Sequence, residues 1–253
     1  VSQPLPLAPP KKQESTIPGR NTQDREPSQT QTQTATQRIT ISAPKDVRKK
    51  RVLFLGASSG EKALEYARQH PEAQVISTEY KSEKQIKGEY SDTVIDQTRQ
   101  ELEKLGGQLL FGIDATRLSD QINDLGEGFN EIRFEYPHTG DYQGEVEARK
   151  AVAENKKLME DTFNSVKQYL REGGTMIVRE GGFPYRNQAL WQGAISEGMD
   201  LYSVVSRKGY GVVDRKPLPA EAVERTEGQK QTGSAHMPKP IEHVFKKVED
   251  MSE

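Results

Sequence analysis

The 253-residue chain contains no cysteine. That excludes disulfide scaffolds, thiol catalysis and cysteine-ligated zinc or iron–sulfur centres, while leaving the compartment open. Histidine is scarce, at four residues, so a histidine-based metal centre is not expected. No apolar run approaches the roughly 18–20 residues of a membrane span. No charged-then-apolar start resembles a signal peptide. Neither sign of charge dominates: 36 Lys and Arg against 38 Asp and Glu leave a net charge of -2. A globally basic footprint for nucleic acid is therefore missing, and only local clusters could supply one.

Apolar residues are also few, at 32%, against roughly 45–50% in an ordinary packed domain. Their distribution explains the deficit. No aromatic residue precedes Phe54, and seven of the 14 prolines lie in residues 1–44. Residues 28–37 read SQTQTQTATQ, a polar tract with nothing to bury. Residues 1–47 are thus expected to form a disordered leader, a flexible linker or a contact for a protein partner. Residues 48–253 are expected to form the folded domain. The chain begins at Val1 rather than Met, which raises the expectation of processing or of a fragment from a longer polypeptide.

After Lys49-Lys50 the pattern changes. Residues 51–55 (RVLFL) form a short apolar run, as in a strand covered on both faces. Further strands are expected at 74–78, 108–112, 129–136, 175–178 and 200–206, with a last one at 241–248. Helices are expected at 61–70, 91–105, 145–170 and 188–197. The stretch 214–240, with Pro217, Pro219, Pro238 and Pro240, reads as a long loop. Strands alternating with helices at this spacing imply an α/β domain: a mostly parallel, twisted sheet with helices on both faces.

In an open α/β sheet, ligands bind beyond the strand C-termini. Residues following each strand therefore nominate a site. The first group is Gly56, Ala57, Ser58, Ser59 and Gly60, a strand-to-helix turn where backbone N–H groups can face a ligand. Glu79 follows the second strand, where a carboxylate can accept both ribose hydroxyls of an adenosine-type cofactor. Tyr80 stands beside it. Asp114 follows the third strand and suits an exocyclic amine, or alternatively caps a helical turn. Tyr136, Pro137 and His138 follow the fourth strand: Tyr136 can stack on a planar ring and His138 can move a proton. Phe183 and Tyr185 add two aromatic rings after the fifth. Basic clusters stand at Arg48 to Arg51 and at Arg207-Lys208.

Taken together these segments resemble the Rossmann-like family of ribosomal RNA uracil-N-methyltransferases acting at ring position three. The resemblance rests on VLFLG at 52–56, STEYKS at 77–82, FGIDATRL at 111–118 and FNEIRFEYPHTG at 129–140. NKKLMEDTFNSVKQYL at 155–170, GGFPYRNQALW at 181–191 and HVF at 243–245 extend it. It implies a class I methyltransferase fold, S-adenosylmethionine as cofactor and an RNA substrate. Gly56 to Gly60 would then face the methionine part, with Tyr80 and Asp114 flanking the adenosine. Pro137 and His138 would border the transfer site, with Tyr136, Phe183 and Tyr185 meeting the substrate. His138 or Glu135 would be the base that deprotonates a ring nitrogen.

The chain departs from the family pattern at three places. Its first loop reads G-A-S-S-G-E where the family tends to G-D-G-D-F-S. Lys81 stands where the family tends to an acid, and Glu135 replaces a polar amide. These departures motivate a second reading: a degenerate Rossmann-like module that binds a nucleotide or a protein. A third makes the domain the C-terminal effector of a larger secreted or injected polypeptide. A nicotinamide oxidoreductase is a fourth, weakened by the incomplete dinucleotide fingerprint. A cytoplasmic location is the default expectation.

Overall fold

The structure, a computed structural model, describes residues 50–122, 128–135, 137, 145–180, 205–217 and 241–248. Within them the chain order is β1 (Lys50–Leu55), α1 (Glu61–Gln69), β2 (Ala73–Glu79), α2 (Glu83–Glu89), α3 (Asp92–Lys104) and β3 (Gln108–Phe111). After a 3-10 turn at Ala115–Arg117 come α4 (Leu118–Gln121), β4 (Phe129–Glu135) and α5 (Glu145–Val166). A second 3-10 turn, Lys167–Tyr169, leads to β5 (Leu170–Glu180), β6 (Tyr210–Pro217) and β7 (Ile241–Lys247). The strands form one sheet in the order β3-β2-β1-β4-β5-β7-β6. The first five strands pair in parallel, and β7 runs antiparallel to both β5 and β6.

Alternation along β1 explains why the sheet is covered on both sides. Val52 and Phe54 pack with Ala63, Leu64 and Ala67 of α1 and Leu102 of α3. Leu53 and Leu55 join Ile132, Phe134, Met159, Phe163 and Val166 on the α5 side. Successive strand residues point to opposite faces, so a continuous apolar run serves both cores. The expected α/β architecture, with helices on both faces, is thus the observed one.

Several expectations shift. The long helix stops at Val166, and β5 starts at Leu170 rather than Thr175. Leu170 pairs with Phe129, and the register slips between Phe129 and Glu131, so Gly173-Gly174 lies in a strand irregularity instead of ending a helix. A Cβ on Gly174 would stand 2.9 Å from the Arg171 carbonyl oxygen and 3.0 Å from that of Phe129. Residues 214–217, read as loop, belong to β6, whose register with β7 continues to Pro217–Ile241. Val205 and Ser206, read as strand, are helical. α2 lies where no element was anticipated. The leader 1–47, residues 218–240, the helix expected at 188–197 and residues 200–204 fall outside the described residues.

Candidate active site

β2 brings Glu79 to the C-terminal edge of the sheet, where it is buried beneath neighbouring loops. Its Oε2 accepts the Ser58 N–H at 2.7 Å and its Oε1 accepts the Lys81 N–H at 3.0 Å. Its backbone carbonyl accepts the Ile113 N–H at 2.9 Å. Ala57 N–H reaches the Thr78 carbonyl at 3.0 Å, and Gly112 N–H reaches that of Lys81 at 3.1 Å. The segments after β1, β2 and β3 are therefore tied together at Glu79. A carboxylate offers about four lone-pair sites, so two N–H bonds orient it and leave acceptor capacity for hydroxyl donors.

The loop after β1 needs glycine at both ends. Gly56 has φ +60, and a Cβ there would meet the Phe134 ring at 3.2 Å. Gly60 has φ +79, and its Cβ would stand 2.9 Å from Leu109 Cδ1. Between them Ser58 takes φ +51, in the left-handed region that a side chain disfavours. Ala57 packs against the α1-side core.

α2 supplies a wall that sequence reasoning missed. Ser82 caps it with a reciprocal capping box to Gln85, a signal readable in S-E-K-Q at 82–85. Its far end is pinned by Lys81 Nζ, which contacts both Glu89 oxygens at 2.6 and 2.7 Å. The next residue, Tyr90, closes the helix: its backbone N–H donates to the Ile86 carbonyl at 2.8 Å. Burial pushes the Tyr90 phenol above its ordinary range, against the opposing influence of Ser58.

Tyr80 is 69% exposed, the largest exposure among the described large hydrophobic side chains. Asp114 caps the 3-10 turn: its Oδ1 accepts from the Thr116 N–H at 2.9 Å and from the Thr116 hydroxyl at 2.6 Å. Its own N–H is held by Gln121 Oε1 at 2.8 Å.

Glu135, one of two candidate bases, sits in a different environment. It lies on the α1 face of β4 in a row with Glu131 and Arg133. Its Oε1 accepts from Arg133 Nε at 3.1 Å, and its Oε2 faces Arg179 at 3.4 Å. Arg133 also holds Glu131 at 2.6 Å and Glu242 at 3.4 Å, and its guanidinium lies over Phe54 and Tyr66. Lys50 pairs with Glu131 at 2.8 Å and Lys216 with Glu242 at 2.9 Å. A cavity of about 210 Å³ opens between α1 and this row. Burial pushes the Glu131 carboxyl up, but hydrogen bonds from Lys50 and Arg133 outweigh it and hold it below the usual range. Glu242 is held low in the same way by Lys216 and Arg179. Both Glu135 oxygens are thus turned to arginines. Pro137 is half-buried after β4. Tyr136, His138, Phe183 and Tyr185 lie outside the described residues.

The family described as BMT5-like, rRNA (uridine-N3-)-methyltransferase BTM5-like, has a sequence model that matches residues 58–205, more than half of the chain. The chain belongs to the BMT5-like family. A mouse protein, ferredoxin-fold anticodon-binding domain-containing protein 1 homolog, is 26% identical over 176 residues. That match takes in 68% of this chain and 26% of the mouse protein, so the chain spans about a quarter of this curated relative. Among solved structures, the 16S rRNA (adenine(1408)-N(1))-methyltransferase of Catenulisporales acidiphilia is similar in two forms. A mutant with cosubstrate SAM superposes with a TM-score of 0.51 at 16% identity, over 81% of this chain and 88% of that one. A second structure of that enzyme gives a TM-score of 0.50 at 15% identity, over 79% of this chain and 88% of that one. At such identity the likeness shows the fold: this BMT5-like chain has a class I methyltransferase fold.

Proposed function

We propose that the chain is a methyltransferase using S-adenosylmethionine (SAM) to methylate an RNA base, with N3 of uridine in ribosomal RNA as the target. The observation that carries this reading is the Glu79-centred edge, combined with the family match. Glu79 stands where ribose hydroxyls would be accepted, already oriented by two backbone N–H groups. Tyr80 offers an exposed ring beside it. Nothing lies within 4 Å of where a Gly112 Cβ would stand, which leaves open space beside the backbone just after β3. Those features fit an adenosine moiety. Asp114 Oδ2 is the oxygen left to meet its exocyclic amine, and the loop from Gly56 to Gly60 would face the methionine part.

Bound SAM supplies a methyl group activated on a sulfonium. The protein's task is alignment and exclusion of water, since positioning provides much of the rate in such a displacement. N3 of uridine must also lose its proton. His138, directly after Pro137, is the base we assign. Glu135 serves as an anchor for Arg133 and Arg179, because proton abstraction needs an oxygen that faces the substrate. Tyr136, Phe183 and Tyr185 are assigned to the substrate base.

The test is transfer of labelled methyl from SAM to ribosomal RNA, followed by nucleoside analysis. Label in 3-methyluridine is the expected result; label in another nucleoside would overturn the uridine assignment. His138→Ala should cut turnover roughly 100-fold or more if His138 is the general base; turnover within about threefold would remove that role. An rRNA substrate implies a cytoplasmic or nucleolar setting. No helix among the described residues is long and apolar enough to cross a membrane. The family match lends no support to the binding-module reading, the secreted-effector reading or a protein partner on the leader.

A further inference from the structure

Lysines in this protein mostly face carboxylates: Lys50, Lys62, Lys81, Lys87, Lys104 and Lys157 each lie within 3.2 Å of one. Lys167, Lys208 and Lys247 pair with no carboxylate among the described residues, yet they converge on one corner. Lys167 opens the 3-10 turn after α5, and its Nζ stands 3.0 Å from where a Gly209 Cβ would lie. Gly209, at φ +78, closes a turn in which the Lys208 N–H reaches the Val205 carbonyl and the Gly209 N–H that of Ser206, both at 3.0 Å. The Gly209 carbonyl accepts the Val248 N–H at 2.9 Å, which brings the end of β7 to the same place. There Lys247 lies opposite Tyr210, and its Nζ donates to the Leu170 carbonyl at 2.9 Å. Burial and the charge of Lys167 hold the Lys247 ammonium below its ordinary range. Glu172, exposed in the irregular start of β5, pairs with none of the three. In a chain of net charge -2, this corner is a local concentration of positive charge.

We propose that this corner is an RNA-backbone contact: Lys167, Lys208 and Lys247 bind phosphate at the edge of the sheet opposite Glu79. The inference rests on the RNA-substrate reading and adds a second contact, away from the reacting base. β7 measures the separation. Ile241 pairs with Glu180 at the edge that carries Glu79, and Lys247 pairs with Tyr210 at the other. The seven residues of β7 set those edges about 20 Å apart. An RNA whose target base sits beyond β4 must therefore run on along the molecule, or fold back over it, to reach the corner. Ammonium groups suit that task, because they are compact charges that hold phosphate without reading sequence. Like charges set together repel, so a phosphate between them relieves their repulsion.

The experiment measures binding of labelled ribosomal RNA by fluorescence anisotropy across a salt series, with SAM affinity by calorimetry beside it. The whole chain is used, so Glu172 and the acids after Val248 act on the result as they do in the protein. A Lys167→Gln, Lys208→Gln variant should bind RNA about three- to tenfold more weakly at low salt. Its slope of log affinity against log salt should be shallower by about 1–2, and its SAM affinity should not change. Lys247 is left in place, since its bond to the Leu170 carbonyl also holds β5. Lys167→Arg, Lys208→Arg should keep the RNA affinity. Lys104→Gln, Lys157→Gln removes the same charge from lysines already paired with carboxylates, and should bind RNA as the wild type does. The loss should be equal on poly(A) RNA, because phosphate contacts carry no sequence. Unchanged RNA affinity in the Lys167, Lys208 variant overturns the proposal and leaves the methyltransferase reading standing. So does an equal loss in the Lys104, Lys157 control, or a loss confined to ribosomal RNA. A wild-type chain that binds SAM but no RNA overturns the RNA-substrate reading itself, and the proposal with it.

Discussion

The backbone N–H of Ser58 and a carboxylate oxygen of Glu79 stand 2.7 Å apart, joining the loop after β1 to the end of β2. That bond fixes both the donor-bearing loop and the acceptor in one geometry. Glu79→Gln tests it. The amide keeps the shape but offers one oxygen, so one of the two N–H bonds meets an NH2 group instead. Charged hydrogen bonds are worth about 1.5–3 kcal/mol each, so SAM affinity should fall by about 10- to 100-fold. Calorimetry reads this directly, and unchanged affinity would remove Glu79 from the site.

Gly60 closes the same loop against the sheet. Gly60→Ala should place a methyl 2.9 Å from Leu109 Cδ1 at a φ of +79. The backbone penalty alone is about 1–2 kcal/mol. For a domain of this size that corresponds to a fall of roughly 2–8 °C in melting temperature. A melt equal to wild type would show that the loop is looser than described.

Arg133 neutralises three carboxylates at once: Glu131, Glu135 and Glu242. Arg133→Met should destabilise by about 3 kcal/mol, the low end for breaking a buried ion pair, because Lys50, Arg179 and Lys216 remain. Denaturant melts check the loss. If the variant were as stable as wild type, the charged row would be dispensable for folding.

The same carboxylates set an acid limit. Glu131 and Glu242 are held below their ordinary range in the folded state by their cationic partners. Their stabilisation is therefore complete above the unfolded value, near 4.3 for glutamate, and drains as pH falls through the folded values. Melting temperature should drop below about pH 4.3. The drop should be shallower in a Glu131→Gln, Glu242→Gln variant. An identical acid profile for both chains would contradict the assignment.

Much of this site was readable in the order of residues. The run RVLFL, the helix face of Ala63, Leu64 and Ala67, and the acid ending β2 all carry local signals that the fold preserved. α2 was not seen because it buries a single apolar side chain, Ile86, and so shows no helical period. β6 hid for a related reason: it is an edge strand of the sheet, with Val212 and Val213 exposed and a proline at its end. The alternation of Glu131, Arg133 and Glu135 was visible, but their partners Lys50, Arg179 and Glu242 come from other strands far along the chain. Long-range pairing of that kind leaves no local trace, so the ion pairs around Glu135 could not be read from the sequence.

The central claim is that the edge built around Glu79 binds SAM. A thermal-shift comparison with SAM, S-adenosylhomocysteine and NAD tests it most directly. A ligand at 100 times its dissociation constant stabilises by about 2.7 kcal/mol, a shift on the order of 5–10 °C for a domain of this size. The account predicts that shift with SAM and S-adenosylhomocysteine, its absence with NAD, and its loss in Glu79→Gln. No shift with either sulfur compound, or an undiminished shift in the Glu79 variant, would contradict it.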